Sequence, residues 1–379
     1  MQYRTFNKTG EKVSLMGLGA MRLPQNEDGS LNEKESIELI RYAIDNGVNY
    51  IDTAYIYNRG ESEVIVGKAL KDGYREKVFL ADKMPVWITK EEADLQKIFD
   101  KQLERLDVDV IDMYLLHNVT VPIWKIANKI NALDFIEKKK AEGKIKHIGF
   151  SFHDHISFFK EVIDSYDWDF CQIQLNYMDT EWQAGLEGLR YAANKGISVV
   201  IMEPLKGGRL TDAFPESVEK LFNELDVERT PAERALRWLA NFPEVMTILS
   251  GASNLEQASE NIKTLGNTEP NSLSDKELAV IKQVADTYNA LIKYDCTSCN
   301  YCLPCPQKLN IPQAMNIYNQ WFLYAQSKKT QTDFNMYFPK GTSICTSCKV
   351  CEEKCPQHLN ISEMMSKAAD LFEETTPKE

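Results

Sequence analysis

Eight short runs rich in β-branched and apolar residues recur along the chain, at positions 14–18, 48–52, 78–81, 110–116, 146–150, 170–175, 198–202 and 246–249. Between them lie longer stretches of helical period, such as residues 35–44 and 232–240. Strand and helix in strict alternation is the pattern of a parallel sheet, because each parallel pairing needs a crossover between its strands. Eight such units within residues 1–283 fit a (β/α)8 TIM barrel, a fold of about 250 residues. Residues 2–14 precede the first unit and carry Lys8-Thr-Gly-Glu11 between two strand-like runs, which reads as an N-terminal hairpin closing the barrel floor. A doubly wound α/β sheet is the alternative, weakened by the lack of a Gly-x-Gly-x-x-Gly turn after the first strand.

The chain is long enough for more than one domain, and its cysteines mark where the character changes. Eight of the nine fall at or after residue 296, a region where Lys and acidic residues balance, so the net charge of −12 belongs to what precedes it. We therefore divide the chain into a barrel over 1–283 and a small cysteine-bearing domain over 284–379. The acidic balance argues against nucleic acid or an anionic membrane as partner. The longest apolar runs, such as 197–202, are too short to span a bilayer, and no leader pattern opens the sequence, so a cytoplasmic location is expected.

In a TIM barrel the chemistry gathers where strands end. Three successive runs deliver Asp52 and Tyr57, then Lys83, then His117. Taken singly, each has a bland reading as a helix cap, a half-buried ring, a solvated charge or a core histidine. On one rim they form a constellation.

These residues resemble the Asp, Tyr, Lys and His tetrad of the aldo-keto reductases, carried here by Asp52-Thr-Ala-Tyr-Ile-Tyr57, by Lys83 after Val78-Phe-Leu-Ala-Asp82, and by Tyr114-Leu-Leu-His117. The likeness continues through Gly149-Phe-Ser151, through Gln172 and Asn176, through Pro204-Leu205 with Gly208, and through the turn and helix of Ser250 to Asn261. It implies an oxidoreductase that reduces an aldehyde or ketone with NADP(H), NAD(H) being the second candidate. Asp52, Ser151 and Gln172 would then hold the nicotinamide end, while Gly19, Met21, Met202, Leu205 and Gly208 line its bed. Gly251, Ser253, Gln257 and Asn261 would receive the adenosine end, phosphate meeting backbone N–H groups at a helix start. Two departures stand out. Met202 occupies a place that commonly stacks an aromatic ring, and no Lys or Arg lies near Ser253 to meet a 2′-phosphate unless Arg209 or Lys206 supplies it. His153 and His155 follow the fifth run and could line a substrate pocket, although surface-loop histidines are the preferred reading.

The chemistry is sound apart from the likeness. A carbonyl that receives a hydride needs a proton at oxygen, and a phenol of pKa about 10 can serve if a neighbouring ammonium stabilises its anion. Lys83 fills that role, Asp52 holds Lys83 charged, and His117 orients the substrate oxygen.

The cysteines are spaced Cys-x2-Cys-x2-Cys-x2-Cys-Pro (Cys296, Cys299, Cys302, Cys305) and Cys-x2-Cys-x2-Cys-x3-Cys-Pro (Cys345, Cys348, Cys351, Cys355). The two halves repeat: Cys305-Pro-Gln-Lys-Leu-Asn-Ile311 matches Cys355-Pro-Gln-His-Leu-Asn-Ile361. Three cysteines at such spacing wrap one face of a 4Fe-4S cube, and the fourth, before Pro, ligates the other cluster in bacterial-type ferredoxins. On that rule one cluster takes Cys296, Cys299, Cys302 and Cys355, and the other takes Cys345, Cys348, Cys351 and Cys305. Zinc and a disulfide framework are the weaker alternatives. Residues 311–325 are predicted to form a helix packing this ferredoxin-like module on the barrel, and Cys171 a buried small hydrophobe.

The whole chain resembles the ferredoxin-fused aldo-keto reductases. The enzymatic reading takes a small-molecule carbonyl substrate. The other reading is a nucleotide-responsive electron-transfer or redox-sensing protein that exchanges electrons with a redox protein partner. Nicotinamide moves an electron pair and a cluster single electrons, and no flavin signature is evident to join them.

Overall fold

The structure, a computed structural model, describes every residue except 212–213, 226, 295, 297–301, 325, 356–357 and 374–379. It divides into two compact units, Met1–Thr211 with Arg229–Ser274, and Asp212–Glu228 with Asp275–Glu379. The division expected at 283/284 falls inside one continuous helix, Asp275–Leu291, which belongs wholly to the second unit.

The first unit opens with an antiparallel hairpin of β1 (Tyr3–Thr5) and β2 (Lys12–Ser14). There follow β3 (Met16–Gly19), β4 (Tyr50–Asp52), β5 (Phe79–Met84), β6 (Ile111–Val119), β7 (Ile145–Phe152), β8 (Phe170–Gln174), β9 (Ser198–Met202) and β10 (Val245–Ser250). All pair in parallel with their neighbours, and β10 returns to β3, closing the barrel. The eight expected strands are thus present. Phe6 and Val13 of the hairpin segment pack with Tyr50, Met113, Leu115, Phe170 and Val200 in one buried cluster at the barrel floor.

Two strands run further than their apolar stretches suggested. Lys83 and His117 are not beyond strand ends but lie inside β5 and β6, with Lys83 in register with Leu115 and Met84 with Leu116. A polar side chain does not stop a strand, although beside His117 the pairing with β7 shifts register between Leu116 and Val119. The outer helices pack closely around the barrel. A Cβ added at Gly67, in helix Glu61–Ala69, would stand 2.5 Å from the carbonyl oxygen of Leu106, at the end of helix Glu92–Leu106.

Among its described residues the second unit is built of helices and turns. Helix Ile311–Leu323 starts where Asn310 accepts the Gln313 N–H, with Pro312 in its first turn. Its buried face, including Met315 and Ile317, joins Met364, Met365 and Phe372 of helix Ile361–Phe372, so the predicted helix builds the cysteine module's own core. The sequence repeat is also a backbone repeat. Lys308 and His358, equivalent positions in the two halves, both adopt left-handed φ (58° and 51°). Each donates its N–H to the preceding motif cysteine, Lys308 to Cys305 (2.9 Å) and His358 to Cys355 (3.1 Å).

Candidate active site and cluster pocket

The C-terminal ends of the barrel strands surround a cleft of about 720 Å³, ample for a dinucleotide's reacting end and a small substrate. Gly19, Met21, Asp52, Tyr57, His117, Gln172, Met202, Leu205, Gly208, Gly251, Ser253, Gln257 and Asn261 all line it. Two predicted site residues do not. Lys83 lies behind the wall, and Ser151 is buried in β7, its hydroxyl accepting the Asn118 N–H at 2.8 Å. As the structure stands, that serine holds the adjoining β6 backbone.

Lys83 is 1% exposed, and its Nζ donates to Asp52 Oδ1 (2.5 Å), to the Thr53 carbonyl (2.8 Å) and to the Tyr57 hydroxyl (3.2 Å). An ammonium has three protons, and here each has an acceptor, which is the geometry of a charged lysine. Burial alone would drive Lys83 toward neutrality, but the Asp52 charge and the Tyr57 hydroxyl outweigh it and its pKa rises. Burial raises Asp52, opposed by Lys83 and by the Gln172 amide, whose Nε2 donates to Asp52 Oδ2 at 3.2 Å. Burial likewise raises the Tyr57 phenol, while the Lys83 charge pulls it down. Because the Tyr57 oxygen accepts from Lys83, its own proton is turned away from the lysine.

His117 stands edge-on to Tyr57 and Trp87, with ring centroids 5.9 and 5.1 Å away. Burial, then the Lys83 charge, hold its pKa well below the usual value, so the ring is neutral at pH 7. Its Nδ1 is sealed in without a partner, leaving Nε2 for the cleft. His153 takes the pocket-lining reading over the surface-loop one. It lines the cleft, and burial lowers its pKa to about 4. His155 instead accepts the Phe158 N–H as the cap of helix Ile156–Asp164. The cleft further includes Arg22, Trp87, Asn118, Glu203 and Glu260, none of which the sequence motifs singled out.

Tyr57 owes its placement to a tight turn, Tyr57–Gly60. Gly60 has φ +91°, and a Cβ there would lie 2.5 Å from the Arg105 guanidinium. That guanidinium bonds the Tyr55 carbonyl (3.2 Å) and Glu63 Oε2 (2.7 Å). Behind Lys83, Asp82 points outward from β5 and accepts the Lys83 N–H at 2.8 Å. Its other oxygen and Glu63 Oε1 are both buried without a hydrogen-bond partner. Burial first, then the Glu63 charge, push Asp82 far above the carboxylate range, and burial also raises Glu63. A single proton shared between them would satisfy both oxygens. Asp82→Asn, which supplies an N–H in place of that proton, is expected to melt near the wild type. Asp82→Ala should lose about 2 kcal/mol in urea denaturation, the cost of orphaning a buried polar partner.

Gln172 supplies the test of fit for a nicotinamide. Its Oε1 is buried without a partner in a residue that lines the cleft, an acceptor suited to a carboxamide N–H. Lys206, one source considered for a 2′-phosphate contact, is instead paired with Asp179, and neither it nor Arg209 lines the cleft.

In the second unit Cys305, Cys345, Cys348 and Cys351, the complete second ligand set, line one pocket together with Cys302. The thiols ring the pocket rather than meeting at a point: among the described residues no three His, Cys, Asp or Glu groups are close enough to share a single ion. Of the first set, Cys299 lies outside the described residues, and Cys355 packs against the adjoining core.

The sequence model of the Aldo/keto reductase family matches residues 15–286, and that of a 4Fe-4S dicluster domain matches residues 295–360. The NADH-specific methylglyoxal reductase of Escherichia coli (strain K12) is 30% identical over 322 residues, covering 72% of this chain and 95% of that protein. The aldo-keto reductase YhdN of Bacillus subtilis (strain 168) is 33% identical over 228 residues, 57% of this chain and 66% of its own. Among solved structures, an aldo-keto reductase from Bacillus halodurans in its holo form superposes with a TM-score of 0.62 at 26% identity, covering 75% of this chain and 96% of that one. One from Klebsiella pneumoniae in complex with NADPH gives 0.60 at 25% identity, with the same coverages. No helix among the described residues is long and apolar enough to cross a membrane. This chain, an NAD(P)H-dependent oxidoreductase with a C-terminal 4Fe-4S domain, belongs to the Aldo/keto reductase family.

Proposed function

We propose that residues 1–283 reduce an aldehyde or ketone of a small molecule, with Tyr57 as the proton donor, and that residues 284–379 hold two 4Fe-4S clusters on the ligand sets given above. The observation that carries this reading is the saturated ammonium of Lys83. All three of its protons are committed to Asp52, Thr53 and Tyr57, so the Tyr57 O–H is free to be delivered to an oxygen in the cleft. A bound nicotinamide supplies the hydride. Asp52 and Gln172 hold its carboxamide end, neutral His117 donates to the carbonyl oxygen, and Lys83 stabilises the tyrosinate left after proton transfer. Because Tyr57 is shifted upward, reduction should stay level through neutral pH and fall only where the phenol ionises; a basic limb near pH 7 would exclude Tyr57 as the acid.

The resemblance implied NADPH. The residues from Ser250 to Asn261 contain no Lys or Arg, and Glu260 lines the cleft, accepting from Thr230. A 2′-phosphate adds about two negative charges, so this charge inventory favours NADH. The test is oxidation of NADH and of NADPH against a panel of aldehydes, ketones and 2-oxoaldehydes. No turnover on any of them would sink the enzymatic reading.

The cluster domain keeps a second reading in view, a nucleotide-responsive protein passing electrons to a redox partner. Bleaching of the cluster absorption on anaerobic addition of NADH would favour it. An unchanged spectrum with carbonyl reduction intact would favour the enzyme alone.

A further inference from the structure

Arg22 is the only Lys or Arg lining the cleft among the described residues. It follows β3, in the turn Ala20–Arg22, and its Nη2 bonds Glu203 Oε1, just past β9, at 2.8 Å. The guanidinium lies between two loops: a Cβ built at Gly207 would be 3.5 Å from Nη2, and one built at Gly251, 3.5 Å from Nη1. On the reading proposed above, the first loop beds the nicotinamide half and the second receives the adenosine half. Arg22 therefore stands where the bridge between the halves must pass, and that bridge is a pyrophosphate.

The carboxylate opposite is held there at a cost. Glu203 has φ +52°, a left-handed backbone that non-glycine residues avoid. It is fixed by the Asn176 amide and by the Lys206 N–H, both donating to the Glu203 carbonyl, at 3.2 and 3.1 Å. Asn176 is itself buried and tied to Asp179. The backbone is thus braced in a strained form whose side chain occupies the cleft's single guanidinium.

We propose that the Arg22–Glu203 ion pair is a charge latch on the nucleotide cleft: the cofactor's pyrophosphate takes Arg22 by displacing Glu203, so Glu203 is a built-in competitor that weakens nucleotide binding. The proposal rests on the nicotinamide-dependent reading, yet it concerns binding and not turnover. Arg22 is the binding residue and Glu203 acts through it.

The test is direct titration of the full-length protein with NADH, followed by nucleotide fluorescence and calorimetry without any carbonyl substrate. Glu203→Gln should tighten binding about threefold, the scale of a partly exposed ion pair. Arg22→Gln should weaken it about tenfold or more, since it removes a charge-assisted contact to phosphate. In the double variant the gain from Glu203→Gln should vanish, because there is no guanidinium left to release. A Glu203→Gln protein that binds NADH more weakly, or unchanged, overturns the latch, as does a gain that persists without Arg22. Wild-type protein that binds no nucleotide at all would overturn the cofactor reading along with it, while tight binding without carbonyl turnover would leave the latch standing and remove only the enzymatic reading.

Discussion

Tyr57→Phe is expected to reduce kcat/KM for carbonyl reduction about a thousandfold, the scale of losing a positioned general acid, with NADH binding unchanged. The phenyl ring keeps the edge contact with His117 and the face offered to Lys83, whose Nζ lies 4.7 Å from the ring centroid. Only the hydroxyl is lost. Lys83→Met makes the necessary comparison, because it leaves Asp52 as an uncompensated buried charge and should destabilise the fold by about 3–5 kcal/mol. A thermal melt run beside the kinetics separates the two cases: Tyr57→Phe should be inactive and lose only about 1–2 kcal/mol, the cost of one Lys83 proton left without its acceptor, whereas Lys83→Met should be inactive and melt much earlier. A Tyr57→Phe enzyme with wild-type turnover would mean that the proton comes from elsewhere, and neutral His117 would be the group to replace next.

Cys348→Ala is expected to halve the iron of the anaerobically purified protein, from about eight to about four atoms per chain, and to lower the visible absorption in proportion. Cys348 lies in the pocket with Cys305, Cys345 and Cys351, and a cube that loses one of four thiolates is poorly retained. Cys171→Ala is the matched control. That thiol is buried in β8, burial pushes its pKa up, and it has no place in either ligand set. Iron unchanged in Cys348→Ala, or zinc in its place in the wild type, would refute the proposed ligands. The variant also bears on function: carbonyl reduction that survives its iron loss would assign the chemistry to the barrel alone.

The architecture was readable because each barrel strand carries its own signal. Buried parallel strands are continuous apolar runs, and all eight appear within a few residues of where those runs lie. Strand ends were less legible, since Lys83 and His117 interrupt the apolar pattern while pairing runs on, directly to Met84 in β5 and through a register shift to Val119 in β6. Gln172 and Met202, which the family resemblance assigned to the nicotinamide, do line the cleft. Arg22, Trp87 and Glu203 could not be placed there from the sequence, because they reach the cleft from irregular turns whose direction is set by tertiary contacts. Of its two readings His153 takes the pocket-lining one: its segment reads as loop, but it lines the cleft. The burial of Asp82 beside Glu63 depends on a strand and a helix packing together, and no spacing in the sequence encodes that meeting.

The way the chain is partitioned bears on how such a protein can be cut and recombined. Helix Glu216–Phe222 sits in sequence between β9 and β10, yet it belongs to the cysteine-bearing unit and packs on helix Asp275–Leu291. Phe214 lies beside Phe222 and Tyr288, with ring centroids 5.4 and 6.3 Å away. The chain therefore passes between the units three times, at residues 212, 229 and 275. A stop codon after residue 274 would not release a finished barrel, because it would strip the cover from Val218 and Phe222 and leave an oily loop in water. The tail is interleaved with its host, not appended as a detachable cassette. Gene fusions that aim to transplant it must carry the 212–228 loop as well.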